Sequence, residues 1–352
     1  MIDITFDPCA IAVRLPIHCG NLGTILGGIL GRIIDTIWGE SRDDRAHQAD
    51  TDGAHVMAAF TLAHFSDSHL PPLPSPRLAE LAGKRVLGYL NWTRNRRKYY
   101  RREVLDALVS DMQAQRPDHV AMTGDVINLA IEAEFAPALT WLKGVGPPDR
   151  VTAIPGNHDA YVRSTQHRFA EVFCDYLRGD DASNGSGTFP FLRRRGPLAL
   201  IGLTSAVPTA PFMATGRLGR AQLDALEPIL IELSAEQAFR VLLVHHPLWS
   251  DSRPKRLTDS HLLLALLKQY GVELILHGHD HIHSTMWFDG PNGQIPGIGV
   301  PAASALARGR HPAAAYNLLT IERNGNAWRC EQTVRGIDGE LRIQQLKRTQ
   351  LF

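Results

Sequence analysis

The sequence predicts an α/β protein, and three observations support this class. From residue 60 onward, apolar runs of strand length alternate with stretches whose apolar residues recur at helical spacing. Five of the apolar runs end in aspartate, asparagine or histidine, and ligands bind at the carboxyl ends of the strands in open α/β sheets. The chain has 352 residues, 44% of them apolar, which is enough to bury the core of one large domain or of two modest ones.

The predicted strands and helices alternate along the chain. Each predicted strand is an apolar run that is followed by one or two polar residues. The runs are TLAHF before Asp67 and His69, HVAMTG before Asp125, VTAIPG before Asn157 and His158, VLLV before His245, and ELILHG before His279 and His281. Periodicity predicts helices near 103–115, 131–143, 164–177, 220–233 and 258–270. After residue 283, short alternating runs predict a closing set of mostly antiparallel strands.

Charge and cysteine content argue against several classes of protein. Because the formal net charge is only +1, no overall field favours a nucleic acid, and we expect no nucleic-acid partner. The four cysteines are far apart and form no C-x-x-C pair, which is typical of reduced thiols and argues against a thiolate metal site. We therefore expect a cytoplasmic protein.

Residues 1–56 are interpreted as an N-terminal extension, and residues 57–345 as one domain that carries the chemistry. The extension contains a glycine-rich apolar stretch at 20–39, but Arg32 and Asp35 interrupt it, so it does not predict a transmembrane helix. The polar run after it predicts partial disorder. Alternatively, Met57 is the natural start and the extension is not native.

The strand ends supply seven side chains suited to metal binding. They combine carboxylate, amide and imidazole groups without thiolate, which suits manganese, iron or zinc. Seven donors exceed the need of one tetrahedral ion but suit two divalent ions roughly 3.5 to 4 Å apart that share a carboxylate. In D-x-H and H-x-H, residues two apart on an extended chain point to the same side. The seven are Asp67, His69, Asp125, Asn157, His245, His279 and His281.

Other histidines and acids near these motifs are expected to play supporting parts. Asp159 and Asp280 are predicted to orient neighbouring groups or to cap turns. Four histidines that flank the motifs are candidates for supporting the ligands or binding substrate: His64, His246, His277 and His283. Three more isolated histidines are interpreted as structural or surface residues: His119, His167 and His261.

The motifs DSH, GDVIN, GNHD, VHHP and GHDH, in this order, resemble the five blocks of the calcineurin-like metallophosphoesterase superfamily. The resemblance spans about residues 61–320 and implies a four-layer α-β-β-α sandwich with a dinuclear metal site. It implies that one ion is bound by Asp67, His69 and His281, the other by Asn157, His245 and His279, and both by the bridging Asp125. It also implies two catalytic residues: Asp125, and His158, which contacts the phosphate and protonates the leaving oxygen.

The resemblance implies hydrolysis of a phosphodiester or pyrophosphate bond in a nucleotide-type substrate by a metal-bridging hydroxide, with two divalent ions (manganese, iron or zinc) as cofactors. More specific alternatives are a UDP-2,3-diacylglucosamine pyrophosphatase of lipid A synthesis and a 3',5'-cyclic nucleotide phosphodiesterase. A scaffold without enzymatic activity is a further alternative. The preference for monoesters or diesters depends on groups outside the motifs, such as arginines 193–195, Arg217 or residues 308–311.

One segment, GKRVLGYLNWTRNRRKYYRR at 83–102, is unusual because it holds eight basic and four aromatic residues and no acid. It predicts a helical insertion, over about 76–102, near the mouth of the site. On one interpretation it is a solvated basic face. On the other, Leu87, Leu90 and Trp92 contact acyl chains or bases, while the arginines contact phosphates or an anionic lipid or membrane surface. The second interpretation adds peripheral association with the inner membrane as an alternative location.

Overall fold

Two six-stranded β-sheets lie at the centre of the fold. A computed structural model describes residues 59–180, 189–338 and 341–352, so the predicted extension at 1–56 lies outside the described residues. The strands are β1 (Phe60–Phe65), β2 (His119–Met122), β3 (Val151–Ala153), β4 (Phe191–Arg195), β5 (Leu198–Gly202), β6 (Phe239–Leu243), β7 (Leu274–His277), β8 (Ser284–Gly290), β9 (Gly293–Gly299), β10 (Ala315–Asn324), β11 (Ala327–Ile337) and β12 (Ile343–Gln350).

The order of the strands places the motif-bearing strands next to one another. The first sheet has the order β12-β11-β10-β1-β2-β3, and the second has the order β4-β5-β6-β7-β9-β8. Strands β1, β2 and β3 are parallel neighbours in the first sheet, as are β5, β6, β7 and β9 in the second. The closing strands β10, β11 and β12 pair antiparallel, as the alternating runs predict, and β12 extends beyond residue 345.

Most of the helices pack against the two sheets. The helices are α1 (Lys84–Arg94), α2 (Arg102–Ala114), α3 (Glu132–Val145), α4 (Arg168–Val172), α5 (Cys174–Leu177), α6 (Arg220–Ala235) and α7 (Ser260–Tyr270). The single helix predicted at 164–177 is instead broken into short pieces. Phe173 leaves the helical conformation at φ −103° and ψ 20°, and the buried Phe169 and Phe173 rings stack there. Tertiary packing outweighs the helical pattern in this segment.

Alternation along the strands of the second sheet divides the core into two layers. Leu200 of β5 and Val241 of β6 belong to the cluster that also contains Leu62 of the first sheet, so this cluster lies between the sheets. Their neighbours Ile201 and Leu242 point the other way and pack with residues of α6 and α7. Because both faces of the strands are buried, the runs are apolar throughout.

The predicted four-layer α-β-β-α sandwich is confirmed, with the two sheets packed face to face and flanked by helices. The carboxyl ends of β1, β2 and β3 in one sheet and of β6 and β7 in the other are followed directly by the five motifs. Within the described residues, no helix combines the length and the apolar character needed to span a membrane.

Candidate metal centre

The structure brings the seven predicted ligands together at one edge of the sandwich. The donor atoms of Asp67, His69, Asp125 and His281 lie within 4.8 Å of one another, and so do those of Asp125, His245 and His279. Asp125 is common to both groups. The remaining predicted ligand, Asn157, places its Oδ1 3.2 Å from Nε2 of His245.

The donor atoms of the site face one another at short distances: Nε2 of His281 lies 2.9 Å from Oδ1 of Asp67 and 3.3 Å from Nε2 of His69. His245 donates through Nδ1 to the carbonyl of Thr123 at 2.7 Å, so in its neutral form Nε2 is an acceptor. That Nε2 faces Oδ2 of Asp125 at 3.4 Å. Nε2 of His279 is buried and has no hydrogen-bond partner. Buried acceptors that face acceptors need a proton or a metal cation between them, and this mixed set of carboxylate, amide and imidazole groups fits a pair of divalent ions.

The electrostatics of the site also call for positive charge. Although burial would raise it, the pKa of Asp125 lies well below its ordinary value because His245 and His158 attract the carboxylate. Burial lowers the pKa of His245, but Asp125 and Asp67 outweigh it and raise this pKa to about 10. Burial and the neighbouring His246 hold the pKa of His279 well below its usual range, which keeps the imidazole in its metal-binding form.

The backbone at the strand ends is bent sharply to place these donors. Five of the seven predicted ligands adopt a left-handed conformation that non-glycine residues rarely take: Asp67, His69, Asp125, His279 and His281. The preceding glycines let the strand ends approach each other. A Cβ on Gly156 would lie 2.2 Å from Oδ1 of Asp125, and one on Gly278 would lie 2.0 Å from Oγ of Ser66.

Two buried carboxylates hold the loop that carries Asp125. Asp159 accepts hydrogen bonds from the backbone N–H of Gly156, Ile127 and Val126 at 2.8, 3.1 and 3.3 Å, in agreement with its predicted orienting part. Glu134 accepts from the N–H of Asn128, Leu129 and Ile131 at 2.6, 3.0 and 3.1 Å. The pattern of the sequence did not single out Glu134, whose partners lie three to six residues before it.

Replacing Glu134 by glutamine is expected to lower the free energy of unfolding by about 2 kcal/mol, measured by urea denaturation. All three partners of Glu134 are N–H donors, so the glutamine NH₂ group would leave a buried donor facing donors. The matched control is Glu132→Gln on the same helix, because Glu132 is exposed and pairs with the surface Arg168. We expect the control to change stability by less than about 0.5 kcal/mol. Equal stability of the two variants would contradict this account.

The flanking histidines divide into distinct environments. His64 contacts Thr123 and Asn317, and His246 contacts Ser205 and the carbonyl of Ala214, so both are built into hydrogen-bond networks behind the site. The His246 ring lies 4.2 Å from that of His279, where it supports the ligand's position. His277 points to Ser284, and His283 lines a separate cavity. His119 is buried against Thr152, while His167 and His261 are exposed.

Two cavities open beside the seven donors and share a wall. The first, of about 370 Å³, includes Lys255, Arg308 and His311 in its lining, and the second, of about 480 Å³, includes Leu87 and Phe212. Both are lined by Asn91, Arg96, Asn157, His158 and Ala214. Of the residues at 308–311, Arg308 and His311 therefore lie beside the site. Arg193 instead is buried against the carbonyls of Val151, Tyr176 and Pro148.

The sequence did not single out Arg96, Tyr100 or Lys255, although each lines the first cavity. The predicted insertion at 76–102 forms a short 3-10 turn (Leu78–Leu81), α1 and a second 3-10 turn (Arg96–Lys98). Residues of α1 and of the second turn line the two cavities. The basic run at 83–102 indicates that an arginine could lie in the site, but the sequence does not show which of its arginines faces the donors.

Comparisons with known proteins agree with the geometry. A family model described as calcineurin-like phosphoesterase matches residues 60–283. Two similar solved structures are a dimetal phosphatase from Danio rerio and a purple acid phosphatase from yellow lupin (Lupinus luteus) seeds. The first has a TM-score of 0.54 and 15% identity and covers 82% of this chain and 98% of its own. The second has a TM-score of 0.53 and 13% identity and covers 83% of this chain and 53% of its own.

At these identities the two solved structures show only a shared fold. The family model shows membership of the family, because the residues that it matches include the strand ends and all five motifs. A search of curated protein sequences finds no match. The matched span begins with β1 and ends at His283, directly after the last two predicted ligands. The chain therefore belongs to the calcineurin-like phosphoesterase family of metal-dependent hydrolases.

Proposed function

We propose that the protein hydrolyses a phosphodiester or pyrophosphate bond of a nucleotide-type substrate. The observation that carries this proposal is that the candidate centre opens on two sides, because the two cavities meet at Asn157 and His158. A phosphorus atom placed at this junction would have room for one substituent in each cavity. A diester or a pyrophosphate carries two substituents, whereas a monoester would leave one cavity unused.

The proposal assigns the seven donors to two ions. Asp67, His69 and His281 would hold one ion, Asn157, His245 and His279 the other, and Asp125 both. When bound, two such ions lower the pKa of water and offset negative charge on a phosphate. The protein's own groups orient the donors: Thr123 fixes the His245 ring through its carbonyl, and Tyr100 contacts Nδ1 of His281 at 3.2 Å.

His158 is proposed to contact the phosphate and to protonate the leaving oxygen. Its Nδ1 donates to the carbonyl of Asn128 at 2.5 Å, and its ring lines both cavities. Burial lowers the pKa of His158 to about 4, and Arg96 adds to this effect, while Asp125 opposes it. A phosphate anion beside the ring would also raise this pKa, because a nearby negative charge favours the imidazolium form. In the hydrolysis, water adds its oxygen to phosphorus as the bond to the leaving oxygen breaks.

The test is a substrate panel with added manganese, iron or zinc. The panel contains bis-p-nitrophenyl phosphate, 3',5'-cyclic nucleotides, UDP-diacylglucosamine and the monoester p-nitrophenyl phosphate. We expect at least one diester or pyrophosphate to be hydrolysed with a higher kcat/KM than the monoester. Turnover of the monoester alone, or of no substrate with any of the three metals, would refute the proposal.

A lipid-linked pyrophosphate is a second candidate because the cavity beside α1 is largely apolar. Leu87 and Met213 line it and are each 38% exposed, and Phe212, also in the lining, is 86% exposed. Exposed apolar side chains of this kind favour an apolar leaving group. A cytoplasmic location, peripheral association with a membrane through 83–102 and the absence of a nucleic-acid partner remain predictions.

Replacing Leu87 by asparagine is expected to separate the two candidates. If the leaving group is lipidic, kcat/KM for UDP-diacylglucosamine should fall about tenfold more than kcat/KM for bis-p-nitrophenyl phosphate, since a polar group then meets the acyl chain. The matched control is Leu78→Asn, because Leu78 is 90% exposed and does not line the cavity. Equal effects of Leu87→Asn on both substrates would remove the lipid candidate.

A further inference from the structure

Arg96 is the basic residue of the insertion that reaches the candidate centre. It lies in the 3-10 turn Arg96–Lys98 after α1. Its Nη1 is 3.1 Å from Nε2 of His158, and its Nη2 is 2.8 Å from Nε2 of His69. Because Nδ1 of His158 donates to the Asn128 carbonyl, the neutral ring accepts the Arg96 hydrogen bond through Nε2. Arg96 also lines both cavities, at the wall that they share.

Arg96 is not paired directly with a carboxylate of the described residues. Among the described residues, Arg96 forms no ion pair, and its hydrogen-bond acceptors are two imidazoles and the Tyr100 hydroxyl. Two other largely buried arginines are paired with carboxylates: Arg240 lies 2.7 Å from Glu273, and Arg335 lies 2.7 Å from Asp111. A guanidinium held only by neutral acceptors keeps its charge available for an anion.

Aromatic stacking and backbone hydrogen bonds fix Arg96 in this place. Its guanidinium lies 4.8 Å from the centre of the Tyr100 ring, which stacks on the buried Trp92 at a centroid distance of 6.0 Å. The backbone N–H groups of Tyr99 and Tyr100 both donate to the Arg96 carbonyl. Tyr100 is bridged to Ala305, so this turn is tied to the body of the domain. Such positioning leaves little conformational entropy to lose on binding an anion.

We propose that Arg96 binds the phosphoryl oxygens of the substrate directly, beside His158. The inference rests on the proposed function and adds to it a residue outside the five motifs. A guanidinium has five N–H groups, and the described residues accept from it at three atoms, so N–H groups remain for oxygens in the cavity. Two parallel N–H groups match two oxygens of one phosphoryl group. Negative charge grows on these oxygens as the phosphorus is attacked, so the contact would strengthen in the transition state.

His69 affects how many N–H groups of Arg96 are free, because the lone pair on its Nε2 can bind either Arg96 or a metal ion but not both. Nδ1 of His69 donates to the Ile127 carbonyl at 3.4 Å, which leaves Nε2 as the acceptor for Arg96. An ion bound by His69 would take this lone pair and release the Nη2 donor of Arg96. Two contacts of Arg96 do not depend on His69: Nη1 lies 3.1 Å from Nε2 of His158, and Nη2 lies 3.2 Å from the Tyr100 hydroxyl.

The test compares Arg96→Ala and Arg96→Lys with the matched control Arg97→Ala, because Arg97 is exposed in the same turn. For the manganese-loaded wild type and each variant, we would measure metal content, affinity for inorganic phosphate by calorimetry, and kcat on the best substrate of the panel. We expect Arg96→Ala to lower kcat about 10²-fold and phosphate affinity about tenfold or more, with unchanged metal content. Arg96→Lys should recover only part of both losses because it cannot bind two oxygens in parallel.

Added guanidinium ion should restore part of the activity of Arg96→Ala and not that of the control. A purely structural role predicts otherwise: a lower melting temperature with unchanged phosphate affinity and no rescue, and that result would overturn the inference. If Arg96→Ala fails to fold, the same comparison is made with Arg96→Lys. A wild type that is inactive on the whole panel counts against the proposed function, whereas an active wild type matched by Arg96→Ala counts against Arg96 alone.

Discussion

Replacing Asp125 by asparagine is expected to lower kcat/KM for a diester about 10³-fold or more. Asp125 is the donor common to both groups, with Oδ2 3.4 Å from His245 and 3.8 Å from His69. Its Oδ1 also accepts the backbone N–H of His158 at 2.7 Å, so it fixes the adjacent turn. The asparagine amide would remove the shared negative charge and direct N–H groups at lone pairs that face the site.

The measurement for Asp125→Asn is metal content by elemental analysis together with steady-state kinetics. We expect fewer than two divalent ions per chain in the variant. The control is Asp224→Asn, because Asp224 is an exposed residue of α6 that pairs with Arg220 on the surface. If Asp125→Asn bound two ions and hydrolysed the diester at the control's rate, Asp125 would not be a shared ligand.

The second large effect is expected from Gly156→Ala. The added methyl group would lie 2.2 Å from Oδ1 and 2.5 Å from the backbone nitrogen of Asp125, and neither the backbone nor a bound carboxylate can move away cheaply. The strand ends must therefore separate, which displaces Asp125 and Asn157 from each other. Because displacements of about 1 Å cost about 10²-fold in rate, we expect at least this loss of kcat/KM.

The matched control for Gly156→Ala is Gly144→Ala within α3, where nothing lies within 4 Å of an added Cβ. Alanine is a better helix former than glycine by roughly 1 kcal/mol, so this control should retain activity and melt at the same or a higher temperature. An active Gly156→Ala variant with normal metal content would show that the close approach of the two loops is not needed for the site.

The donor residues could be predicted from the sequence because each one follows directly on a strand. An apolar run that stops at Asp67 or at His245 indicates a strand with a polar side chain at its carboxyl end. Parallel neighbouring strands bring such residues to one edge of the sheet. The glycines before Asp125 and Asn157 are a second local feature, because a Cβ at either position would lie closer than 3 Å to the neighbouring loop. These features depend on a few consecutive residues, so one chain suffices to detect them.

Arg96 could not be identified in this way because its position depends on contacts that are distant in sequence. Eight basic residues at 83–102 are chemically alike, and the turn that directs Arg96 inward is set by the stacked Tyr100 and by the bridge to Ala305. The same limit applies to Lys255, which joins the cavity lining from the loop after β6. The broken helix at 164–177 also reflects packing of Phe169 and Phe173, which periodicity does not report.

The division of the donors between the two sheets has a thermodynamic consequence. Asp67, His69, Asp125 and Asn157 follow strands of the first sheet, and His245, His279 and His281 follow strands of the second, so only a folded chain presents the complete set. An ion that spans both sheets would act as a reversible cross-link. Above saturation, each tenfold increase in free ion should add about 1.4 kcal/mol to the free energy of unfolding for each such ion bound, and chelation should remove this contribution. The resistance of this protein to heat would then report on the metal supply around it.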